Sequence, residues 1–88
     1  SARGETAPDV DFLGGAASTA LASARALSQE LQRGDVEEVM VEYPEGPLLL
    51  VPIEGNYLLV VLMDSVQSLG RVRFQVKKSI PRLKEALA

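Results

Sequence analysis

Two dense apolar runs, separated by Glu54-Gly55-Asn56, constrain the fold of this 88-residue chain more than any other feature. The first run, GPLLLVPI, spans residues 46–53, and the second, YLLVVLM, spans residues 57–63. Both have the length of a strand, and both are apolar at consecutive positions rather than at alternate ones. Strands of this kind predict a sheet whose two faces are both covered.

A third strand is predicted ahead of these runs. Residues 36–43, VEEVMVEY, alternate in polarity, so that Val39, Val41 and Tyr43 share one face. Pro44-Glu45-Gly46 then supplies a turn, because proline presets φ and glycine tolerates unusual backbone angles. Three strands joined by two short turns predict an antiparallel meander, with Pro52 at a strand end or a bulge.

The segment before the strands has the spacing of an amphipathic helix. Asp9 and Asp11 offer N-cap oxygens ahead of an alanine-rich stretch, and Gly34 offers a C-cap. Apolar residues at alternating spacings of four and three form one stripe: Leu13, Ala17, Ala20, Ala24, Leu27 and Leu31. The small residues at its centre allow this helix to lie close to a sheet or to a copy of itself.

The C-terminal segment fits two patterns. Residues 71–77, RVRFQVK, alternate like a strand, whereas a longer set of apolar residues recurs at helical spacing: Leu69, Val72, Val76, Ile80, Leu83 and Leu87. The longer pattern predicts a helix that is kinked or restarted at Pro81, whose ring clashes with the preceding turn. Phe74 lies off this stripe, and the pattern does not explain it.

The order helix, three strands, helix predicts an α+β fold in which two helices flank a three-stranded antiparallel meander. The chain length suits one domain. We therefore expect a flexible tail over residues 1–8 and a single domain over residues 9–88.

The composition argues against catalysis. Cys and His are both absent, which removes thiolate and imidazole chemistry and the commonest zinc ligands. We expect no catalytic residue, no cofactor and no metal. The net charge of −3 argues against a nucleic-acid partner, and no apolar stretch approaches the ~20 residues of a membrane helix. A chain without cysteine suits the cytoplasm without requiring it.

Charge is unevenly distributed along the chain. Residues 36–64 contain acids and no base, whereas residues 65–88 contain six bases and a single acid, Glu85. The two segments could attract each other within one chain or between two copies. The basic segment could instead lie on an anionic membrane, although its match to the acidic strands favours a contact with protein.

Taken together, these patterns resemble the roadblock/dynein light chain family. The resemblance covers residues 9–87 and is carried by the alanine- and leucine-rich helix, GDVEEVMVEYPEGPLLLVPI, NYLLVVLMD and SLGRVRFQVKKSIPRLKEAL. It implies a small, cytoplasmic, non-enzymatic homodimer or heterodimer. Members of the family act as platforms for Ras-like GTPases or as scaffolds.

The resemblance also implies which residues meet in a dimer. Family members pair through the helix and strand that correspond here to residues 13–31 and 36–43. The interface residues implied in this way are Ala17, Ala20, Ala24, Leu27, Leu31, Val39, Val41 and Tyr43. A two-fold interface is self-complementary, so the strand would meet its own copy antiparallel.

One departure from the family pattern concerns the start of the chain. The family fold usually begins with a further helix and two strands, which would precede Ser1. Without them, the strand at residues 57–63 would present a bare apolar edge, which tends to recruit another strand. We therefore expect a fragment, a short variant that closes its sheet by dimerising, or half of a two-chain assembly.

Two functional hypotheses follow from the sequence. The first is a non-catalytic dimeric module that binds or regulates a small Ras-like GTPase. Arg25 or Arg33 could then act as an arginine finger, although arginines on a helix surface are usually solvated. The second hypothesis is a structural scaffold or assembly subunit without a GTPase partner.

Overall fold

The structure, a computed structural model, describes residues 8–88, so the predicted tail lies outside the described residues except for Pro8. The elements in chain order are α1 (Val10–Leu31), β1 (Val39–Tyr43), β2 (Gly46–Pro52), β3 (Leu58–Leu62), a 3-10 helix (Val66–Ser68) and α2 (Leu69–Leu87). This order confirms the predicted α+β fold.

The first helix begins as predicted but ends two residues early. The backbone N–H of Phe12 donates a 3.1 Å hydrogen bond to Asp9 Oδ1, so Asp9 is the N-cap. The C-cap is Gln32, with a left-handed backbone at φ 56°, and not Gly34 as predicted. The apolar periodicity stops at Leu31, so the left-handed position falls on the next residue. Gly34, with φ 91°, instead accepts a hydrogen bond from Ser28 Oγ.

The three strands form the predicted antiparallel meander, in the order β1-β2-β3. Leu50 lies opposite Val39 of β1 and opposite Val60 of β3, so these three side chains share one face. Leu49 and its partner Val61 therefore point to the other face. This register determines which face of the sheet each residue of β2 and β3 points to. The sequence pattern alone did not predict it.

The start of β1 is three residues later than predicted. Continuing the observed register beyond Val39 and Leu50 would place Glu37 opposite Pro52. Proline has no N–H to donate, so the ladder stops before this pair. Pro52 is the last residue of β2, which confirms its predicted place at a strand end.

The turn between β1 and β2 requires glycine at position 46. Gly46 has φ 130°, and a Cβ built on it would lie 2.8 Å from the carbonyl carbon of Met63. This crowding arises because the N–H of Met63 donates a 2.9 Å hydrogen bond to the Pro47 carbonyl, which brings the end of β3 against the turn. Only a residue without a side chain fits there.

The second helix covers one face of the sheet, called here the α2 face. The core on this face consists of the buried residues Leu49, Val51, Ile53 and Met63. The α2 residues packed against it are Leu69, Val72, Val76, Ile80 and Leu83. These are the first five residues of the predicted helical stripe, so the helical interpretation of this segment is confirmed and the strand interpretation is wrong.

The second helix runs without interruption past Pro81, so of the two predicted alternatives the restart is wrong, and the kink stays a prediction. Proline costs the helix one backbone hydrogen bond and adds a steric clash. Ile80 and Leu83, on either side of Pro81, both pack against the core. Continuous packing along the sheet thus outweighs the local penalty of the ring.

The first helix lies on the opposite face, called here the α1 face. Leu13 and Gly14 line a groove together with Leu58 and Val60, which the register places on this face. Ala17 and Leu21 are buried, and Leu50 is only 2% exposed. The α1 face is therefore covered at these side chains. Because α2 covers the other face, the prediction of a sheet covered on both faces is confirmed at this part of the sheet. Leu21 lies outside the predicted stripe, so its burial is a correction to that stripe.

Candidate functional site

The predicted interface residues of α1 divide into an inner and an outer group. Ala17 is buried, and Ala20 and Ala24 are half-buried, so these alanines belong in part to the domain's own core. Leu27 and Leu31 are each 63% exposed. The outer pair therefore supplies most of the apolar surface that a partner of α1 could reach.

The exposed leucines of α1 lie on one side of the helix. At about 100° per residue, Leu13 and Leu31 lie roughly 40° from Ala17, and Leu27 roughly 80° from it, all in the same rotational direction. We call Leu13, Leu27 and Leu31 the α1 flank. An apolar flank left open on a folded domain is typical of a protein contact.

The predicted interface residues of β1 lie on the α1 face. Val39, Val41 and Tyr43 stand opposite Leu50, Leu48 and Gly46 respectively. Val39 and Val41 are half-buried, and Tyr43 is 54% exposed. The fold therefore brings the predicted residues of the helix and of the strand to the same side of the sheet. Within residues 8–88, β1 pairs with β2 alone and leaves its outer edge unpaired.

The third strand forms a second open edge, as predicted. Within the described part of the chain, β3 pairs only with β2. Tyr57 just before it is 56% exposed, Val60 is 39% exposed and Leu62 is 72% exposed. The sequence did not single out Leu62, because every residue of its run is apolar and no periodicity separates the two faces.

An ion pair joins the acidic and the basic segments within one chain. Arg73 Nε donates a 2.9 Å hydrogen bond to Glu38 Oε2, and a second Arg73 nitrogen donates to the same oxygen. The two side chains remain 39% and 25% exposed. The pair lies at a groove of about 630 Å³, which Glu37, Lys77 and Lys84 also line. The predicted attraction between the two segments thus occurs, at this point, between α2 and the residues before β1.

The side chains of residues 8–88 form no group of three or more acids that could hold a metal ion. Glu38, one of the carboxylates that line a groove, is paired with Arg73. No helix in this part of the chain is long and apolar enough to span a membrane. The residues that the structure describes expose apolar side chains on α1 and β3 and leave the outer edges of β1 and β3 unpaired.

Comparison with known proteins identifies the family. The Roadblock/LC7 domain matches residues 2–63, which include α1 and the whole sheet. The chain belongs to the roadblock/LC7 family. The family is generally non-enzymatic, and membership supports the role of a non-catalytic protein-interaction module. The second helix, which the resemblance also covered, lies beyond the matched residues.

Similar proteins occur in the archaeon Methanocaldococcus jannaschii. The chain is 33% identical over 76 residues to the uncharacterized proteins MJ0310, MJ1340 and MJ0714, a match that covers 86% of this chain. The same match covers 66% of the first two relatives and 64% of the third, so the chain spans slightly less than two thirds of their length. No solved structure matches the chain significantly.

Proposed function

We propose that this chain acts as a dimeric interaction module that binds or regulates a small Ras-like GTPase. One observation carries the dimer: the exposed leucines of α1 and the free edge of β1 lie on the same side of one sheet. Because the helix flank and the strand edge lie on the same side, one partner surface can contact both of them. Membership of the roadblock/LC7 family supports the GTPase as the further partner.

A second copy is the occupant that fits the β1 edge. Antiparallel pairing of β1 with its own copy is self-complementary, because each strand supplies the same backbone donors and acceptors to the other. The pairing would join two three-stranded sheets into one sheet of six strands. It would also bring the two α1 helices to the same face of that sheet, where Leu27 and Leu31 could meet their counterparts.

In this proposal the module acts on the GTPase by binding and not by chemistry. A surface that binds one nucleotide state better than the other shifts the GTPase toward that state. Arg25 and Arg33 are both exposed on or just after α1. An arginine-finger version of the proposal would need one of them beside the γ-phosphate. Replacing both with Ala and finding GTP hydrolysis unchanged would dispose of that version.

The test of GTPase binding is a pull-down that depends on nucleotide. The immobilised protein is incubated with small Ras-like GTPases from its own source, each loaded with GDP or with a non-hydrolysable GTP analogue. We expect one GTPase to be retained in one nucleotide state and released in the other. Equal retention in both states, or retention of none, would contradict the regulatory role.

A scaffold subunit without a GTPase partner is the second candidate. It is favoured by the open edge of β3, where Leu62 is 72% exposed at the strand opposite to β1 in the sheet. Such an edge can accept a strand from a larger assembly. In this case Leu62→Lys would abolish incorporation into that assembly, while the dimer formed through β1 would remain.

A further inference from the structure

Within residues 8–88, one aromatic side chain of α2 does not pack into the core of the fold. Phe74 is 64% exposed, although phenylalanine occurs only twice in the chain. At about 100° per residue it lies roughly 160° from Val76, the centre of the stripe that packs on the sheet. The ring therefore points away from the core, on the outer side of the helix.

Three basic residues lie beside this ring, all on the same side of it around the helix. Arg71 lies one turn before Phe74, Lys78 lies one turn after it and Arg82 lies one turn further, and all three side chains are exposed. All three lie within roughly 80° of Phe74 around the helix. We call Arg71, Phe74, Lys78 and Arg82 the Phe74 face. Within residues 8–88, α2 forms an ion pair through Arg73, which binds Glu38 and is not part of the Phe74 face.

Two features of the Phe74 face disfavour the isolated chain: neighbouring like charges and an exposed phenyl ring. Lys78 and Arg82 are like charges at i and i+4, an arrangement that destabilises a helix slightly. Glu85, the single acid of α2, lies one turn after Arg82 and roughly 20° from Phe74 around the helix, so it can offset the charge of Arg82 but leaves Arg71 and Lys78 without an acidic neighbour on α2. The face also keeps a phenyl ring in water, although the apolar stripe of the same helix is packed on the sheet. A contact with a partner explains both features.

We propose that the Phe74 face binds an acidic protein segment. Carboxylates of the segment pair with Arg71, Lys78 and Arg82, and an apolar notch of the partner receives the ring of Phe74. Aromatic and arginine side chains dominate the energetics of protein interfaces, and opposite charge sets the approach and the register. The twelve residues from Arg71 to Arg82 span about 16 Å, so the segment is about three helical turns or five extended residues long.

A protein segment fits this face better than a membrane or a nucleic acid does. A helix that lies on a membrane needs a broad apolar face, whereas the apolar stripe of α2 is packed on the sheet and leaves one phenyl ring outside. A nucleic-acid strand would meet a chain with a net charge of −3 and a face with a single aromatic ring for base stacking. A short acidic segment can meet the three bases without reaching the acidic strands.

This surface is independent of the proposed dimer. The α1 flank and the exposed side chain of Tyr43 belong to the α1 face, whereas α2 covers the other face of the sheet. A dimer formed through β1 would therefore leave two copies of the Phe74 face open. Acidic segments could bind to both copies at once, and a partner with two segments would gain avidity.

The test is an array of helical and extended peptides of about 14 residues, long enough to span the face. Each peptide carries several Glu or Asp residues and one or two Leu residues, and matched peptides carry Lys in place of the acids. We expect a subset of the acidic peptides to bind, and none of the basic ones. The affinity of the best peptide, measured by fluorescence anisotropy, should fall steeply with added salt.

Matched variants locate the binding. Phe74→Ala should weaken the best peptide at least ~10-fold, which is the scale of a single interface hot spot. Phe12→Ala is the control, because Phe12 is a phenylalanine on α1 with 71% exposure. The double variant Lys78→Glu with Arg82→Glu should abolish binding, whereas Arg25→Glu with Arg33→Glu should not. Circular dichroism of each variant checks that the helices remain folded.

Three outcomes would overturn the proposal. The first is an array in which no acidic peptide binds. The second is binding that Phe74→Ala leaves unchanged. The third is Phe74-dependent sedimentation with phosphatidylcholine vesicles containing about one-third phosphatidylserine, in the absence of peptide binding, which would assign the face to a membrane.

Discussion

Arg73, near the start of α2, donates two hydrogen bonds to one carboxylate oxygen of Glu38, a residue 35 positions earlier in the chain. The contact fixes the basic flank of the helix to the acidic residues that lead into β1. Through this contact, the basic segment of the sequence binds the acidic segment in the folded chain.

The Arg73–Glu38 pair should stabilise the domain only slightly. Both side chains keep water contact, and exposed pairs contribute about 0.2–1 kcal/mol once side-chain entropy and screening are included. A double-mutant cycle of Arg73→Ala and Glu38→Ala, measured by urea unfolding, should give a coupling energy in this range that declines with salt. A coupling above about 3 kcal/mol, insensitive to salt, would mean that the pair is desolvated.

Gly46→Ala should be strongly destabilising. The added Cβ meets the backbone at Met63 and adopts a φ of 130°, so we expect a loss of roughly 3 kcal/mol in the free energy of unfolding. Gly55→Ala is the matched control, because Gly55 also has a positive φ, 58°, but has no atom within 4 Å of an added Cβ. It should lose only about 1 kcal/mol. Equal losses in the two variants would contradict the close approach of the turn to β3.

Leu49→Ala should be the most damaging substitution in the sheet. Leu49 is fully buried on the α2 face, so truncation leaves a cavity and costs about 2–5 kcal/mol. For a domain of this size, such a loss is a large part of the total stability. Leu62→Ala, on a 72% exposed side chain, should change the free energy of unfolding by less than about 0.5 kcal/mol. Similar losses in the two variants would mean that the register of β2 against β3 is wrong.

Much of the fold follows from the sequence because its local patterns agree with the tertiary packing. The spacing from Leu69 to Leu83 marks the helix that packs on the sheet, and Asp9 marks the start of α1. The two apolar runs are different. A run without periodicity does not say which side chain is buried, so the contrast between Leu50 and Leu62 comes only from the register and the position of α1.

The surfaces were harder to predict than the elements. The helical stripe of α1 included Leu27 and Leu31, which are exposed, and missed Leu21, which is buried. The predicted stripe lies to one side of the buried residues Ala17 and Leu21, because small alanines on either side of them give no clear boundary. Similarly, the sequence placed opposite charges in two segments but could not pair Arg73 with Glu38. That pairing depends on where α2 lies across the sheet.

In the proposed dimer, the α1 flank and the β1 edge form a two-fold interface. The most direct measurement is the solution mass by light scattering behind a sizing column at several concentrations. We expect a stable species of twice the 9.4 kDa of one chain, and a monomer for the variant Leu27→Glu with Leu31→Glu. The control Ala22→Glu with Ala26→Glu, at exposed positions on another side of α1, should remain dimeric. A wild-type chain that is monomeric at every concentration, or a dimer that both double variants leave intact, would contradict an interface through the α1 flank.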